Sequence, residues 1–261
     1  MDPALPQPVR LSLDQALAQW RHWSPGPAAR PTVCGTLTGG RSNTSILVEQ
    51  EQRQWVVRVD GFNPTSLGLN RSAERRCLAH AARAGLAPRP VYWNPDCRVL
   101  VTEYLRADGD APDALPDIAQ LLRRIHTLPA IRTRLNPLAR ARRYLDLAGA
   151  DTLPAELLAA CKRLASDPVP ARLCHNDLLR PNRLYSEGRL LALDWEYAAM
   201  GDPCFDLAVV IEGDNLNDAQ ARSLHEEWLG HAANAAELAR LADQRLVYRE
   251  LAALWEAIPR G

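Results

Sequence analysis

Lysine is almost missing from this 261-residue chain: of 31 basic residues only Lys162 is a lysine, and the rest are arginines. Any chemistry that depends on a lysine amine must use Lys162 or be absent. Net charge is missing as well, 31 basic side chains balancing 31 acidic ones, so no global field points to nucleic acid or an anionic membrane. No apolar run approaches the ~20 residues of a bilayer-crossing helix. The opening Met1-Asp2-Pro3-Ala4-Leu5-Pro6 lacks the basic start and apolar stretch of a secretory signal. Six cysteines (Cys34, Cys77, Cys97, Cys161, Cys174, Cys204) form no C-x-x-C pair, and none stands with histidines at zinc spacing. Reduced thiols in a cytoplasmic protein are the expectation. Phenylalanine occurs only twice, against seven tryptophans and six tyrosines.

What is present is ordinary globular material, 47% hydrophobic and 24% charged, long enough to bury a core in one large domain or two lobes. Residues 1–10 are proline-rich and are expected to be loose; Ser12 to Trp23 reads as a short helix with Leu13, Leu17 and Trp20 on one face. Strand-like runs follow at 33–37, 44–49 and 54–59, with a tight glycine turn between the first two. A helix is expected over 69–84, closed by Gly85 and Pro88, then strands over 89–93 and 98–104 across an Asn-Pro-Asp turn. Beyond the polar connector at 106–110 helices dominate, at 115–128, 137–147, 155–165, 218–231 and 235–258, interrupted by one loop and a short hairpin. A strand-rich front and a helix-rich back predict an α+β fold of two lobes, 1–105 and 106–261.

The most informative stretch is His175-Asn176-Asp177-Leu178-Leu179-Arg180-Pro181-Asn182, which reads H-x-D-x-x-x-x-N, followed by Leu191-Ala192-Leu193-Asp194-Trp195-Glu196. Phosphoryl transfer to an alcohol needs an acceptor oxygen aimed at a γ-phosphate and a destination for its proton. A carboxylate on a rigid loop, Asp177, supplies both. Asn182 and Asp194 are neutral and charged oxygen ligands suited to magnesium shared with phosphate oxygens. The bland alternative is a loop whose Asp and Asn cap turns. The implied activity is transfer of the γ-phosphate of ATP to a small molecule.

The front lobe offers matching parts. Gly39-Gly40 would let backbone N–H groups approach phosphates, although glycine pairs between strands are often only turns. Arg58, in Trp55-Val56-Val57-Arg58-Val59, sits where kinase-like folds usually carry a phosphate-binding lysine. Arginine can hold phosphate oxygens bidentately, and Glu74 on the next helix is its natural ion-pair partner. An exposed strand arginine is the alternative. His175 reads as a residue holding its loop in shape, His126 as a core histidine. Asp206, in Gly201-Asp202-Pro203-Cys204-Phe205-Asp206, is expected to accept hydrogen bonds from the catalytic-loop backbone.

Together these segments, in order from Gly35 to Val210, resemble the aminoglycoside phosphotransferase and choline kinase superfamily, relatives of the protein kinases. The resemblance implies a kinase-like fold with an antiparallel-sheet N-lobe and a helical C-lobe, and ATP and magnesium as cofactors. It makes Leu37-Thr38-Gly39-Gly40-Arg41-Ser42-Asn43-Thr44 the phosphate loop. It makes Val99 to Leu105 the hinge strand, with Glu103 and Leu105 meeting adenine through the backbone. His-Asn-Asp-Leu at 175–178, Asp-Trp-Glu-Tyr-Ala at 194–198 and arginine at 58 resemble the bacterial choline, ethanolamine and thiamine kinases. Such an acceptor is a cationic alcohol, for which aromatic faces and a carboxylate are suitable. Trp195, Tyr197, Trp228, Tyr248 and Trp255 are candidates for the aromatics and Glu196 for the carboxylate; core packing is the competing reading of each aromatic. An aminoglycoside or sugar kinase, and a nucleotide sensor without turnover, stay open as alternatives.

Overall fold

The computed structural model describes residues 5–37, 43–61, 67–109 and 113–259. A helix α1 (Gln7–Ala18) opens the chain and lies against a five-stranded antiparallel sheet. The strands are β1 (Thr32–Leu37), β2 (Asn43–Gln50), β3 (Arg53–Asp60), β4 (Pro90–Asn94) and β5 (Val99–Glu103), in the order β1-β2-β3-β5-β4. Helix α2 (Arg71–Arg83) intervenes between β3 and β4. The expected looseness of residues 1–10 is corrected for 7–10, residues 1–4 lying outside the described residues: α1 begins at Gln7, with Pro8 in its first turn, where the missing N–H costs nothing. Val9, Leu13, Ala16 and Leu17 are buried against the sheet, the two leucines contributing roughly 1.5–3 kcal/mol apiece.

Strand periodicity decides which side chains face the site. On β3, Trp55, Val57 and Val59 point into the core under α1, so Arg58 and Asp60 take the opposite face. Both are buried. Helix α2 starts at Asn70, whose side chain accepts the Ala73 N–H at 3.0 Å. That cap places Arg71 and Glu74 in the first turn, beside β3.

The C-terminal half is helical: α3 (Leu115–Ile125), α4 (Pro137–Ala148), α5 (Ala155–Ser166), α6 (Pro203–Gly213), α7 (Asp218–Leu229) and α8 (Ala235–Glu256). Two short antiparallel pairs interrupt it, β6 (Arg172–Cys174) with β9 (Ala199–Gly201) and β7 (Arg183–Ser186) with β8 (Arg189–Ala192). Helix α6 lacks a readable helical period because Pro203 through Ile211 are all buried. The largest apolar cluster runs from Cys77, Leu78 and Ala81 on α2 into Ile118 and Leu122 on α3 and on to Trp195 and Leu207. Ala192 N–H donates to the Leu86 carbonyl at 2.8 Å across the same seam. The sheet and the helical part are thus joined through a shared core beside α2. No described helix is long and apolar enough to cross a membrane.

Candidate active site

The loop after β6 is shaped by one buried carboxylate. Asp206, on the first turn of α6, accepts the His175 N–H at 2.8 Å and the Asn176 N–H at 2.6 Å. Its Oδ2 also meets His126 Nε2 at 3.1 Å. Trp228 Nε1 donates to His126 Nδ1 at 3.0 Å, so the His126 hydrogen resides on Nε2 and points at Asp206. His126, Cys174 and Asp206 bring possible ligand atoms within 4.8 Å of one another, but both histidine nitrogens are already engaged. This cluster is a scaffold for the loop. His175 is buried, with Nε2 donating to the Leu193 carbonyl at 2.8 Å, and burial lowers its pKa.

Asn176 sits at φ 63°, a left-handed backbone that glycine and asparagine tolerate best. Its side chain donates to the Tyr197 carbonyl at 3.1 Å. The bend turns Asp177 into a cleft of about 390 Å³. Asn182 Nδ2 donates to both the Asp177 carbonyl (2.8 Å) and its Oδ2 (2.9 Å). Asn182 Oδ1 makes no hydrogen bond among the described residues and is available as an oxygen ligand. Burial, then the nearby Asp194 and Glu196 charges, push the Asp177 carboxyl well above the usual range, with Arg140 and the Asn182 amide pulling the other way.

Asp194 also adopts a left-handed backbone, φ 56°, and lines the same cleft. Burial and the carboxylates Glu196 and Glu74 push it up to about 7, against the pull of Arg58 and Arg71. Arg58 bridges two carboxylates: NH1 lies 2.7 Å from Asp194 Oδ1 and NH2 lies 2.5 Å from Glu74 Oε1. Burial works against its charge, but Glu74, Asp194, Glu196 and Asp60 together outweigh it and raise its pKa. A second arginine, Arg71, makes contacts with Glu74 Oε2 (2.7 Å), Asp60 Oδ1 (2.8 Å) and Glu196 Oε2 (2.9 Å). Four buried or half-buried carboxylates around two guanidinium groups give this wall a net negative charge.

The structure brings Asp177, Asn182, Asp194, Glu196, Tyr248 and Trp255 to one cleft, and sets Arg58 and Glu74 behind it. Asn43 reaches the site too, its Nδ2 donating to Glu196 Oε2 at 3.0 Å. Trp195 and Trp228 are corrections. Trp195 is only 1% exposed, its Nε1 donating to the Ala192 carbonyl at 3.1 Å and its ring packed edge-on against His175. Trp228 packs between α3 and α7 with its indole N–H spent on His126. Neither meets the cleft. Glu103 ends β5 with its N–H given to the Arg89 carbonyl and its Oε1 accepting the Arg89 N–H, and Leu105 lies just beyond the strand. Gly39 and Gly40 lie outside the described residues.

Residues without a sequence assignment complete the cleft. Tyr144 and Arg140 come from α4, Phe205 from α6, and Glu256 ends α8, beside Tyr197, which was among the candidate aromatics. Arg140 lies over the Tyr197 ring at 5.2 Å. Arg71 was legible as the residue three positions before Glu74 on a helix face, and Asp60 as the strand neighbour of Arg58 on the same side. The α4 and α8 contributions depend on distant packing and leave no local signal.

A sequence model of the phosphotransferase enzyme family matches residues 34–254. The chain belongs to that family. Among its relatives, a thiamine kinase of Escherichia coli O157:H7 is 32% identical over 184 residues, covering 67% of this chain and 64% of that protein. Protein LicA of Haemophilus influenzae is 28% identical over 207 residues, covering 73% of this chain and 61% of that protein. This phosphotransferase-family chain therefore aligns with somewhat under two thirds of those relatives' lengths. The fold is similar to the crystal structure of a choline/ethanolamine kinase family protein from Mesorhizobium loti, with TM-score 0.72 and 25% identity over 94% of this chain and 85% of that one. The kinase-like α+β architecture expected from the sequence is the one observed.

Proposed function

We propose that this protein is an ATP- and magnesium-dependent kinase that phosphorylates the hydroxyl group of a small cationic alcohol of the choline, ethanolamine or thiamine class. One observation carries the reading. Asp177, fixed by Asn182, opens into a cleft walled by Tyr144, Tyr197, Tyr248 and Trp255 and edged by the carboxylates Asp194, Glu196 and Glu256. Aromatic faces beside a wall in which four carboxylates meet only two guanidinium groups suit a cation, each desolvated aromatic contact adding up to about 2 kcal/mol.

In this reading the acceptor hydroxyl donates its hydrogen bond to Asp177. As the oxygen attacks the γ-phosphorus, the proton passes to the carboxylate and the bond to ADP breaks. The raised affinity of Asp177 for a proton suits that task. Glu74 anchors one side of Arg58, leaving NH1 able to exchange Asp194 for a phosphate oxygen. Asn182 Oδ1 and the Asp194 carboxylate are hard oxygen donors that fit magnesium, which when bound would neutralise phosphate charge. Asn43 would border the phosphates; Glu103 and Leu105 would meet the base.

An aminoglycoside acceptor is the runner-up, since the cleft is acidic. Rates of ADP release with choline, ethanolamine, thiamine and a set of aminoglycosides test the choice. Turnover on cationic alcohols is expected. Turnover confined to aminoglycosides would overturn the acceptor class, and tight nucleotide binding without any turnover would point to a sensor.

A further inference from the structure

The cleft continues past Glu196. A second cavity of about 210 Å³ lies on the far side of that side chain, and Arg140, Glu196 and Tyr197 line both. Its character is the reverse of the first. Three guanidinium-bearing residues, Arg134, Arg140 and Arg143, share its wall with the polar side chains of Asn70, Thr133 and Asn136. Glu196 is the single acid among its described lining residues, and its Oε2 is already held by Arg71 and Asn43. Neither Arg134 nor Arg140 makes a close ion pair among the described residues, although Arg140 acts through space on the Asp177 carboxyl in the neighbouring cleft.

Two features of the backbone reinforce this sign. Asn70 and Asn136, which line the cavity, are the N-caps of α2 and α4, so the positive ends of two helices lie beside it. Gly68 has φ +74°, and a Cβ there would come within 2.8 Å of Arg143 Nε. The chain is bare at that point, and the Arg143 side chain lies along it. An excess of guanidinium charge beside amide and hydroxyl donors is the chemistry that recognises planar or tetrahedral oxyanions.

We propose that this niche is a binding subsite for an oxyanion of the carboxylate or phosphate class, contiguous with the acceptor cleft. The anion has two possible sources, a substituent of the acceptor alcohol itself or a free anion bound beside it. Only the first source rests on the acceptor reading above.

The test has two arms and one variant, Arg134→Gln/Arg143→Gln, which leaves Asp177, Asn182, Asp194 and Arg58 intact. In the first arm, inorganic phosphate and acetate are titrated calorimetrically into the protein saturated with a non-hydrolysable ATP analogue and magnesium, at constant ionic strength. Saturable binding of either anion, weakened at least tenfold in the variant, establishes a free-anion site. In the second arm, initial rates are compared for choline and for a hydroxylated betaine bearing the same trimethylammonium group plus a carboxylate. A KM raised at least tenfold for the betaine alone establishes the substituent as the source. If neither anion binds saturably and no carboxylate-dependent change in KM appears, the proposal is overturned, whether or not any acceptor turns over. Absence of all turnover with saturable, variant-sensitive anion binding would sink the acceptor reading and leave the niche standing.

Discussion

Replacing Asp177 by asparagine separates what this residue costs the fold from what it does in transfer. The change keeps the side chain's shape and an oxygen able to accept from Asn182 Nδ2, the partner now 2.9 Å away. It removes a carboxylate that burial, Asp194 and Glu196 push well above its usual range. A folded-state pKa above the unfolded value means the ionised form is disfavoured by folding. The penalty is absent below the unfolded pKa, near 4, and grows as pH rises through the folded pKa. Asp177→Asn should therefore stabilise the protein at pH 8, by about 0.5–2 kcal/mol, the common gain on relieving such a site. At roughly 2–4 °C per kcal/mol for a chain of this size class, the melting temperature should rise by a few degrees at pH 8 and not at pH 4. Activity should move the other way. Loss of a general base lowers kcat by ~10²–10⁴, about 3–5 kcal/mol of transition-state stabilisation, with nucleotide affinity little changed. Thermal melts at the two pH values, paired with ADP-release rates and nucleotide titration, give all three quantities. A variant less stable than wild type at pH 8, or within tenfold of its kcat, would refute the reasoning.

Three further expectations follow from the same geometry. Because Asp194 is pushed up to about 7, it becomes increasingly protonated below that pH; magnesium-nucleotide affinity should fall towards tenfold per pH unit under pH 7 and level off above it, as read by calorimetry. Arg71→Met leaves Asp60, Glu74 and Glu196 without their shared partner and should cost about 3–5 kcal/mol, measured by urea denaturation at pH 8, with a smaller loss at pH 5. Trp255→Ala and Tyr248→Ala should raise KM for a cationic acceptor, whereas Trp228→Phe, which removes the hydrogen bond to His126, should leave KM unchanged and lower kcat by loosening Asp206 and the catalytic loop.

How much of this was legible in the sequence varies with the range of the interaction. The sheet was readable because β3 and β5 alternate or run apolar between turn residues, and the observed strands lie within a residue or two of the expected ones. Helix α6 was not, since apolar residues all round carry no period. The start of α1 was misjudged because Pro3, Pro6 and Pro8 suggested disorder, although proline fits a first helical turn. At the site, the Asp177–Asn182 offset and the Asp194 strand end are local signals. The pairing of Arg58 with Glu74 followed from one fold-level expectation, and it is present at 2.5 Å. Asparagine at 176 is a further local signal, for its position demands φ 63°. Aromatic composition could not say which rings face the cleft: of the five candidates Trp195 and Trp228 pack inside, Tyr197, Tyr248 and Trp255 line the wall, and Tyr144 joins them from α4. Arg140 and Glu256 reach the cleft only through helix packing set by residues far along the chain.

The most direct measurement is a crystal structure of the protein with a non-hydrolysable ATP analogue and manganese in place of magnesium. Anomalous density ligated by Asn182 Oδ1 and the Asp194 carboxylate, beside the γ-phosphate and with Asp177 facing the open cleft, is the predicted result. Nucleotide and metal bound away from residues 177, 182 and 194, with Arg58 still closed on Asp194, would contradict the account.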